Sequence, residues 1–362
     1  MARGNEVHVF TTNVDGPEDS GVPLGVPVDL DGVKVWYFPV PAFRRLYWAP
    51  AMLRAMQAQL AGFDIVHTHS VFLWPTWAAA RIAHRMNVPY VLAPRGMLVR
   101  ALIRRKSRWL KWAWIALVER TNIANASLLH FTSRLEADEA LALDLPIGDW
   151  CVVPNGLDLL FDQEGSAPQP HRDVAGDGIP FLLFLGRINW KKGLDRLIAA
   201  MPGIPGCRLV IAGNDEEGYR PKLEALAAQA GVGGRISFAG PVYGEEKQAL
   251  FRHALMLVLP SYSENFGNVV LEAMAAGCPV VVTPEVGAAD LVRESRAGAV
   301  LAGDRATLSA GIAAMASDPD ELGRAGQRGR EFVRNYTWDA VGLRMEEAYR
   351  KVLSEKRAAL DV

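Results

Sequence analysis

The sequence predicts an α/β fold built from two doubly wound, Rossmann-like domains. Apolar, strand-like runs alternate with helix-like segments in both halves, a pattern typical of parallel sheets covered by helices. The length of 362 residues allows two separate cores, and a polar stretch rich in proline and glycine lies between the halves. We therefore expect a first domain over 1–162, a linker over 163–178, a second domain over 179–338 and a closing helix over 339–362.

Charge and cysteine content exclude several classes of function. The 39 basic and 40 acidic residues give a net charge of −1, so no overall field attracts nucleic acid. Three scattered cysteines fit a reducing cytoplasm and provide neither a disulfide framework nor a metal site. No apolar run reaches the roughly 18 to 20 residues of a membrane-spanning helix, and no signal peptide opens the chain. We expect a cytoplasmic protein that is soluble or bound to a membrane surface at most.

The first half contains short strand-like runs separated by turns. Strands are predicted at Asn5–Thr11, Val33–Phe38, Phe63–His67, Pro89–Pro94, Leu128–Phe131 and Trp150–Val153. A loop rich in glycine and proline, Val14–Gly32, joins the first two, and Arg44–Leu60 has helical spacing. Asp29-Leu30-Asp31 precedes Gly32 and predicts a turn rather than a metal site.

The segment 100–120 allows two interpretations. It has seven basic residues, one acid and three tryptophans, a composition that suits a helix lying on anionic lipid. Any surface helix also has a charged outer face, and four apolar residues fall at core spacing. These are Leu110, Trp114, Leu117 and Val118.

The stretch 259–283 of the second half predicts a strand, a loop, a helix and another strand. It carries Glu264 in the loop and Glu272 in the helix. The backbone N–H groups of Gly267 and Asn268 lie at the helix N-terminus, where unpaired donors and the helix dipole favour an anion such as phosphate. Two acids at this spacing alone would equally fit a solvated loop carboxylate and a helix-surface glutamate.

A second loop follows the predicted strand Phe181–Leu185, where Gly186 turns the chain before Arg187 and Lys192. The planar fork of arginine and the point charge of lysine suit a diphosphate whose negative charge grows as it leaves. Because both loops follow strand carboxyl ends of one α/β domain, we expect them to share a site.

The segments GRINWKKG at 186–193 and SENFGNVVLEAMAAGCPVV at 263–281 resemble the donor half of retaining GT-B glycosyltransferases of family four, the group 1 glycosyl transferases. Further matches cover nearly the whole chain: HTHS at 67–70, VVPNGLD at 152–158, LVIAGNDEEG at 209–218 and RISFAGPV at 235–242. The resemblance implies a GT-B fold whose two domains face a cleft, with the helix 339–362 returning to the first domain.

The resemblance also implies an activity. Members move a sugar from a UDP- or GDP-sugar to a glycan or a polyprenyl-diphosphate-linked acceptor with retention, and we expect a role in cell-surface polysaccharide synthesis. No cofactor, metal or nucleic acid is expected. The protein would work in the cytoplasm, including at the inner face of the membrane through 100–120.

By resemblance, the catalytic residues are Glu264, Arg187 and Lys192. Arg187 and Lys192 would neutralise the diphosphate, and Glu264 would orient the sugar. The implied donor-binding residues are Glu272 at the ribose, Phe266 and Gly267 at the sugar, and Gly186, Asn214, Val242 and Asn268 around the nucleotide.

Three residues of the first half are candidates for the acceptor side. His67 and His69 lie on one side of a strand end, where they could contact an acceptor or be satisfied core histidines. A third metal ligand at suitable spacing is missing. Arg95 stands where many members have a histidine; because its guanidinium stays charged, its role would be to bind a sugar hydroxyl or a phosphate.

One departure from the family concerns the start of the chain. In the family, the strand at Asn5–Thr11 is normally the second, preceded by a first strand and a glycine-rich loop that are not found here. Two alternatives therefore stay open: a non-catalytic or truncated donor-binding relative, and a nucleotide-sugar epimerase of the same fold.

Overall fold

A computed structural model of the chain describes residues 3–105, 108–158 and 178–360, which form two units. The N-terminal unit contains the described residues up to Phe131, Glu136–Val152 and the chain from Met345 onward. The C-terminal unit contains Thr132–Leu135 and the described part of Val153–Arg344. Apart from its last residue, the predicted linker 163–178 lies outside the described residues.

The N-terminal unit begins with a three-stranded sheet in which β5 (Val33–Phe38) lies between β1 (His8–Thr12), to which it is parallel, and β4 (Pro27–Leu30). The prediction of a loop over Val14–Gly32 is wrong in part. This segment contains the strands β2 (Val14–Asp15), β3 (Glu18–Asp19) and β4 (Pro27–Leu30). Most of their residues are at least partly exposed, so they lack the apolar alternation by which strands are predicted.

The predicted Asp-Leu-Asp turn lies at the hairpin between β4 and β5 (Val33–Phe38). Asp31 and Gly32 have φ of 52° and 84°, as a two-residue hairpin turn requires. The Asp29 carboxylate accepts a hydrogen bond from Gly32 N at 2.8 Å. The Asp29 carboxylate thus has its hydrogen-bond partner in the backbone of its own turn.

A second sheet of the N-terminal unit is fully parallel and has the order β6-β7-β8-β9. Its strands are β6 (Val66–His69), β7 (Tyr90–Ala93), β8 (Leu128–Phe131) and β9 (Trp150–Val152). Helices α1 (Pro50–Gln59) and α2 (Trp74–Arg85) contribute buried side chains to the same core as β7 and β8.

The segment from 100 onward is a broken helix. It consists of α3 (Arg100–Arg105), α4 (Arg108–Trp114), a π turn at Ile115–Glu119 and α5 (Arg120–Ala124), and α6 (Arg134–Leu141) follows β8. Of the two interpretations of this segment, the one that places Leu110 and Leu117 at core positions disagrees with the structure, because their exposed fractions are 74% and 80%.

A buried carboxylate takes the inward position instead. Glu119 is 1% exposed and accepts hydrogen bonds from Phe72 N at 2.8 Å, Trp114 Nε1 at 2.8 Å and Asn122 Nδ2 at 3.2 Å. The π turn adds a residue to the helical repeat, so the apolar spacing read from sequence does not hold across it.

The C-terminal unit contains a six-stranded parallel sheet of the order β12-β11-β10-β13-β14-β15. Its strands are β10 (Phe181–Leu185), β11 (Arg208–Ala212), β12 (Ile236–Gly240), β13 (Met256–Leu259), β14 (Val280–Val282) and β15 (Gly298–Val300). Its helices are α7 (Leu194–Ala200), α8 (Arg220–Gln229), α9 (Gly244–His253), α10 (Asn268–Ala275), α11 (Ala289–Ser295), α12 (Arg305–Ala316) and α13 (Pro319–Val333). The strand order reverses between β10 and β13, which creates the crevice where such sheets bind ligands.

The last helix, α14, spans Trp338–Leu360, and from Met345 onward it belongs to the N-terminal unit. Val352 packs with Val91 and Leu128, and Tyr349 lies against the same cluster. None of the helices in the described part of the chain is both long enough and apolar enough to cross a bilayer.

Candidate active site

Two loops leave the carboxyl ends of adjacent strands at the crevice of the C-terminal unit. The first, 186–193, connects β10 to α7, and the second, 260–267, connects β13 to α10. The two strands are direct neighbours, with Leu182 paired to Met256. The structure thus brings both predicted loops to one place.

Glycines allow the backbones at this place to touch. A Cβ at Gly193, where φ is 66°, would lie 2.0 Å from the carbonyl oxygen of Pro260. A Cβ at Gly213, where φ is 143°, would lie 1.9 Å from the carbonyl oxygen of Gly186. Glycine is required at both positions because any larger residue would push the loops apart.

Side chains of α7 reinforce the contact between the loops. Tyr262 N donates to Lys191 O at 2.7 Å, and the Tyr262 hydroxyl donates to Asp195 Oδ2 at 2.9 Å. The Arg196 guanidinium lies 3.6 Å from the centre of the Tyr262 ring, a cation–π contact. Sequence reasoning missed these supporting residues.

Lys192 and Glu264 form an ion pair between the two loops. Their side chains are only 14% and 18% exposed. The backbone holds Glu264 on both sides, because its N–H donates to Glu285 O at 3.0 Å and its carbonyl accepts from Gly287 N at 2.9 Å. A fixed ammonium and a fixed carboxylate therefore lie together at the crevice.

Arg187 occupies a more open position. Its Nη1 donates to Glu216 Oε2 at 3.2 Å, and the two side chains are 65% and 45% exposed. Exposed pairs of this kind contribute about 0–1 kcal/mol. An incoming anion could replace Glu216 as the partner of Arg187 at small cost.

Helix α10 begins at the second loop with Gly267 in the left-handed region, at φ 90°. Phe266 is buried, and its carbonyl accepts from Ala288 N at 2.8 Å. Asn268 is exposed, and its Oδ1 accepts from Asn155 Nδ2 at 2.8 Å. These contacts fix the direction of a helix whose N-terminus is the positive end of its dipole.

Glu272 lies one turn into α10 and is paired with a residue that the sequence did not suggest. Lys247 Nζ of α9 lies 2.7 Å from Glu272 Oε2, and both side chains are less than one-third exposed. Asn214 is exposed, and its carbonyl accepts from Ile188 N at 2.7 Å. The Val242 side chain is 7% exposed within the core, so only its backbone is suited to contact a ligand.

Two residues from the first half of the sequence also support the second loop within the C-terminal unit. Asn265 Nδ2 donates to Thr132 Oγ1 at 3.0 Å, and Ser133 Oγ donates to Asn265 O at 3.1 Å. They were missed because no local pattern connects residues so distant in sequence.

The candidate acceptor-side residues lie together at the carboxyl edge of the second sheet of the N-terminal unit. His67 Nδ1 is 2.6 Å from the Tyr349 hydroxyl, and its Nε2 is 3.3 Å from His130 Nδ1. Both ring nitrogens of His67 are thus satisfied, as in a core histidine. His69, by contrast, is exposed, and its ring stacks on His67 at 4.3 Å.

Arg95 determines which nitrogen of His69 carries the proton. Arg95 Nε and Nη2 lie 3.1 Å and 3.0 Å from His69 Nδ1. Because a guanidinium can only donate, Nδ1 accepts and the proton of the neutral ring is on Nε2. Although His69 is exposed by accessible surface, desolvation by the protein groups packed around its ring and the charge of Arg95 lower its pKa to about 4. Burial and the neighbouring His69 hold the pKa of His67 well below its ordinary value.

No cluster of three or more histidine, cysteine, aspartate or glutamate side chains suited to a metal ion occurs among the described residues. The three cysteines, Cys151, Cys207 and Cys278, are free thiols. Burial raises the pKa of Cys151 to about 11 and of Cys278 to about 12, so neither is an activated nucleophile.

Comparison with known families agrees with this geometry. A model for a glycosyl transferase 4-like domain matches residues 1–156, and a model for glycosyl transferases group 1 matches residues 171–332. Two Rossmann-like units with a crevice at the strand carboxyl ends define the class as a GT-B glycosyltransferase. The chain belongs to the group 1 glycosyltransferases.

Similarities to individual proteins agree with this family assignment. The chain is 28% identical over 388 residues to a D-inositol 3-phosphate glycosyltransferase from Xylanimonas cellulosilytica, covering 98% of this chain and 89% of the relative. Sucrose-phosphate synthase from Thermosynechococcus elongatus superposes with a TM-score of 0.75 at 24% identity, covering 98% and 90% of the two chains. Anabaena HepE, solved with UDP and glucose, has a TM-score of 0.73 at 17% identity, covering 96% and 100%. These likenesses confirm the predicted GT-B fold.

Proposed function

We propose that the protein transfers a hexose from a UDP- or GDP-sugar to a glycan or a polyprenyl-diphosphate-linked acceptor, with retention of anomeric configuration. The observation that carries the proposal is the contact between Lys192 and Glu264 beside the N-terminus of α10. A fixed cation and the N–H groups at a helix N-terminus, both at a strand-order reversal, suit the diphosphate of an activated sugar. The UDP bound in Anabaena HepE supports a uridine donor.

Each candidate side chain then has a role in the transfer. Lys192 and Arg187 neutralise the departing diphosphate, and Glu272, held by Lys247, binds the ribose hydroxyls. Glu264 orients the sugar together with the backbone of Phe266 and Gly267. The backbone at Gly186, Asn214, Val242 and Asn268 lines the nucleotide.

The bond changes need no nucleophile from the protein. The bond between the sugar C1 and the β-phosphate oxygen breaks, and the acceptor oxygen bonds to C1 from the same face. The acceptor proton passes to the departing phosphate oxygen. On the acceptor side, His69 donates through Nε2, Arg95 binds a hydroxyl or phosphate, and His67 holds the ring of His69.

The reaction is proposed to need neither cofactor nor metal, because lysine, arginine and the helix dipole supply the positive charge that a metal would otherwise provide. We place the protein in the cytoplasm, at the inner face of the membrane when the acceptor is lipid-linked, in cell-surface polysaccharide synthesis. Free thiols at all three cysteines support this reducing location.

The test is a screen of UDP- and GDP-sugars for release of UDP or GDP, with and without oligosaccharide and polyprenyl-diphosphate acceptors. Acceptor-dependent release that is insensitive to EDTA is expected, with the product linkage matching the donor anomer. Release without any acceptor would indicate an epimerase instead. Failure of every sugar nucleotide to bind would contradict the proposal.

A further inference from the structure

Two strained loops lie at the carboxyl edge of the second sheet of the N-terminal unit. The first edge loop, 70–73, follows β6 and has Ser70 and Phe72 in the left-handed region, at φ of 77° and 63°. The second edge loop, 94–97, follows β7 and has Arg95 in the same region, at φ of 55°. A residue with a Cβ keeps this backbone only where its surroundings impose it, and such strain clusters at functional sites.

Each edge loop is held by a buried carboxylate from a helical segment. Glu119, which is 1% exposed in the π turn, accepts a hydrogen bond from Phe72 N at 2.8 Å. Glu136, which is 3% exposed in α6, accepts one from Gly96 N at 2.5 Å. Hydrogen bonds to a charged acceptor are about twice as strong as those between neutral groups. Two separate helical segments thus place a buried acid on a loop N–H at two neighbouring strand ends.

The edge loops carry two of the candidate acceptor-side residues. His69 directly precedes the first loop, and Arg95 lies within the second. The loops are joined at their base, where Ser70 N donates to Ala93 O at 2.8 Å, and at their side chains, where Arg95 contacts His69 Nδ1. Burial lowers the pKa of Arg95, whereas the charge of Glu136 acts against this shift. A displacement of either loop would therefore change the direction of both side chains.

We infer that Glu119 and Glu136 are positioning residues of the acceptor side, each holding one edge loop so that His69 and Arg95 keep a fixed geometry toward the acceptor. Because both acids are buried, they act through the loops and not on the acceptor itself. Fixed contact groups matter because a displacement of about 1 Å can cost on the order of 10²-fold in rate. The kinetic consequence rests on the proposed sugar transfer, but the geometry of His69 can be measured without any substrate.

The first experiment is steady-state kinetics of Glu119→Gln and Glu136→Gln, with the donor and the acceptor varied in turn. Glutamine keeps the size and an accepting oxygen but removes the charge that strengthens the hydrogen bond to each loop. Each variant should lower kcat/KM for the acceptor about tenfold, while the donor KM and the rate of donor hydrolysis without acceptor keep their wild-type values.

Relief of the backbone strain provides a rescue that a merely structural role would not predict. Ser70→Gly should restore most of the acceptor kcat/KM lost in Glu119→Gln, because glycine adopts the left-handed backbone without support. The same change should restore nothing in Glu136→Gln, where the other loop is affected. Glu139→Gln, which removes a half-buried acid from the same helix as Glu136, should match the wild type.

The second experiment needs no substrate. Heteronuclear NMR of the protein with isotope-labelled histidine reports which ring nitrogen of His69 is protonated, and His69→Gln assigns the signals. The wild type and Glu139→Gln should carry the proton on Nε2, whereas Glu136→Gln should show a mixture of both tautomers. Thermal melting verifies the fold, and Glu119→Asp and Glu136→Asp, which keep the charge but shorten the reach, replace a glutamine variant that does not fold.

Several outcomes would overturn the inference. They are wild-type acceptor kinetics in both glutamine variants, an equal rise in the donor KM, no recovery with Ser70→Gly, and an unchanged His69 tautomer in Glu136→Gln. If no sugar nucleotide is turned over at all, the proposed function fails, and the His69 signal then decides by itself whether Glu136 fixes this edge.

Discussion

Both units place their candidate residues at the carboxyl edge of a parallel sheet, but the two edges differ in charge. In the C-terminal unit, Lys192 pairs with Glu264 and Lys247 pairs with Glu272. In the N-terminal unit, His67 and His69 have pKa values held below their ordinary value, so they are neutral near pH 7. One edge is built from ionised pairs and the other from uncharged rings beside a single guanidinium.

This difference indicates two kinds of ligand chemistry. A diphosphate needs cations whose charge is present at every physiological pH, which lysine and arginine provide. A hydroxyl needs a directed donor more than a charge, and the neutral His69 offers one through Nε2. The proposed division into a donor side and an acceptor side follows from this contrast, and the predictions below test it from the largest expected effect to the smallest.

Removal of the central ion pair should have the largest effect. Lys192→Ala and Glu264→Ala should each lower kcat of sugar transfer by about 10²- to 10³-fold, because each removes a group fixed against the transition state. Measured release of UDP or GDP gives the rates, and circular dichroism verifies the fold. Lys191→Ala, which removes the same charge one residue earlier, is the control. Near wild-type turnover in Lys192→Ala would show that the pair of Lys192 and Glu264 does not take part in sugar transfer.

Separation of the two loops should reduce both stability and activity. Gly193→Ala places a Cβ 2.0 Å from Pro260 O at a φ of 66°. The left-handed backbone alone costs about 1–2 kcal/mol of unfolding free energy, and the clash adds to it. Gly206 also has a left-handed backbone, with a φ of 73°, but open space around it. Gly206→Ala therefore measures the cost of the left-handed backbone without a clash. Equal melting temperatures for the two variants would show that the loops do not need this contact.

Loss of the partner of Glu272 should weaken donor binding only. Lys247→Ala should raise the donor KM about two- to fivefold with little change in kcat, since a partly exposed pair contributes about 0.5–1 kcal/mol. Steady-state kinetics with the donor varied measures both constants. Lys222→Ala, an exposed lysine on α8, should match the wild type. A fall in kcat at constant KM would assign Glu272 to the chemical step instead of to ground-state binding.

Because His67 is neutral in the folded protein, the free energy of unfolding should depend on pH. Because the pKa of His67 is lower in the folded state than in the unfolded chain, the unfolded chain binds more protons below about pH 6.5. Unfolding free energy should therefore fall as the pH drops from about 6.5 toward 4, by at most about 1.4 kcal/mol per pH unit for one proton, and stay level above pH 7. Thermal melting across this range should show a shallower slope for His67→Gln than for the wild type. His253→Gln, at an exposed position, serves as the control, and an unchanged slope in His67→Gln would contradict a neutral His67.

Much of the fold was accessible from the sequence because the strands of parallel sheets are continuous apolar runs. The bounds of Val33–Phe38, Leu128–Phe131 and Phe181–Leu185 agree with the structure residue for residue. The misses have local causes. β4 is exposed and begins with a proline, so it lacks a strand pattern, and the π turn in 115–119 shifts the helical repeat on which the assignment of Leu110 and Leu117 depended.

The residues of the candidate site could be predicted from the sequence only where they follow the end of a strand. Glu264 and Lys192 each do so, and their contact could be expected from the topology alone. The pairing of Lys247 with Glu272 joins two helices, and the role of Tyr349 beside His67 depends on where the last helix packs. No periodicity encodes such contacts, because they are set by the tertiary arrangement of distant segments.

The main-chain contact at Gly193 has a consequence for how the specificity of this enzyme could be changed. Since backbone atoms fix the spacing of the two loops, that spacing cannot be retuned by exchanging side chains. Directed evolution toward a new donor should therefore retain Gly193 and Gly213 and vary exposed positions next to them, such as Asn214. Libraries that randomise the glycines would consist mainly of unfolded or inactive clones.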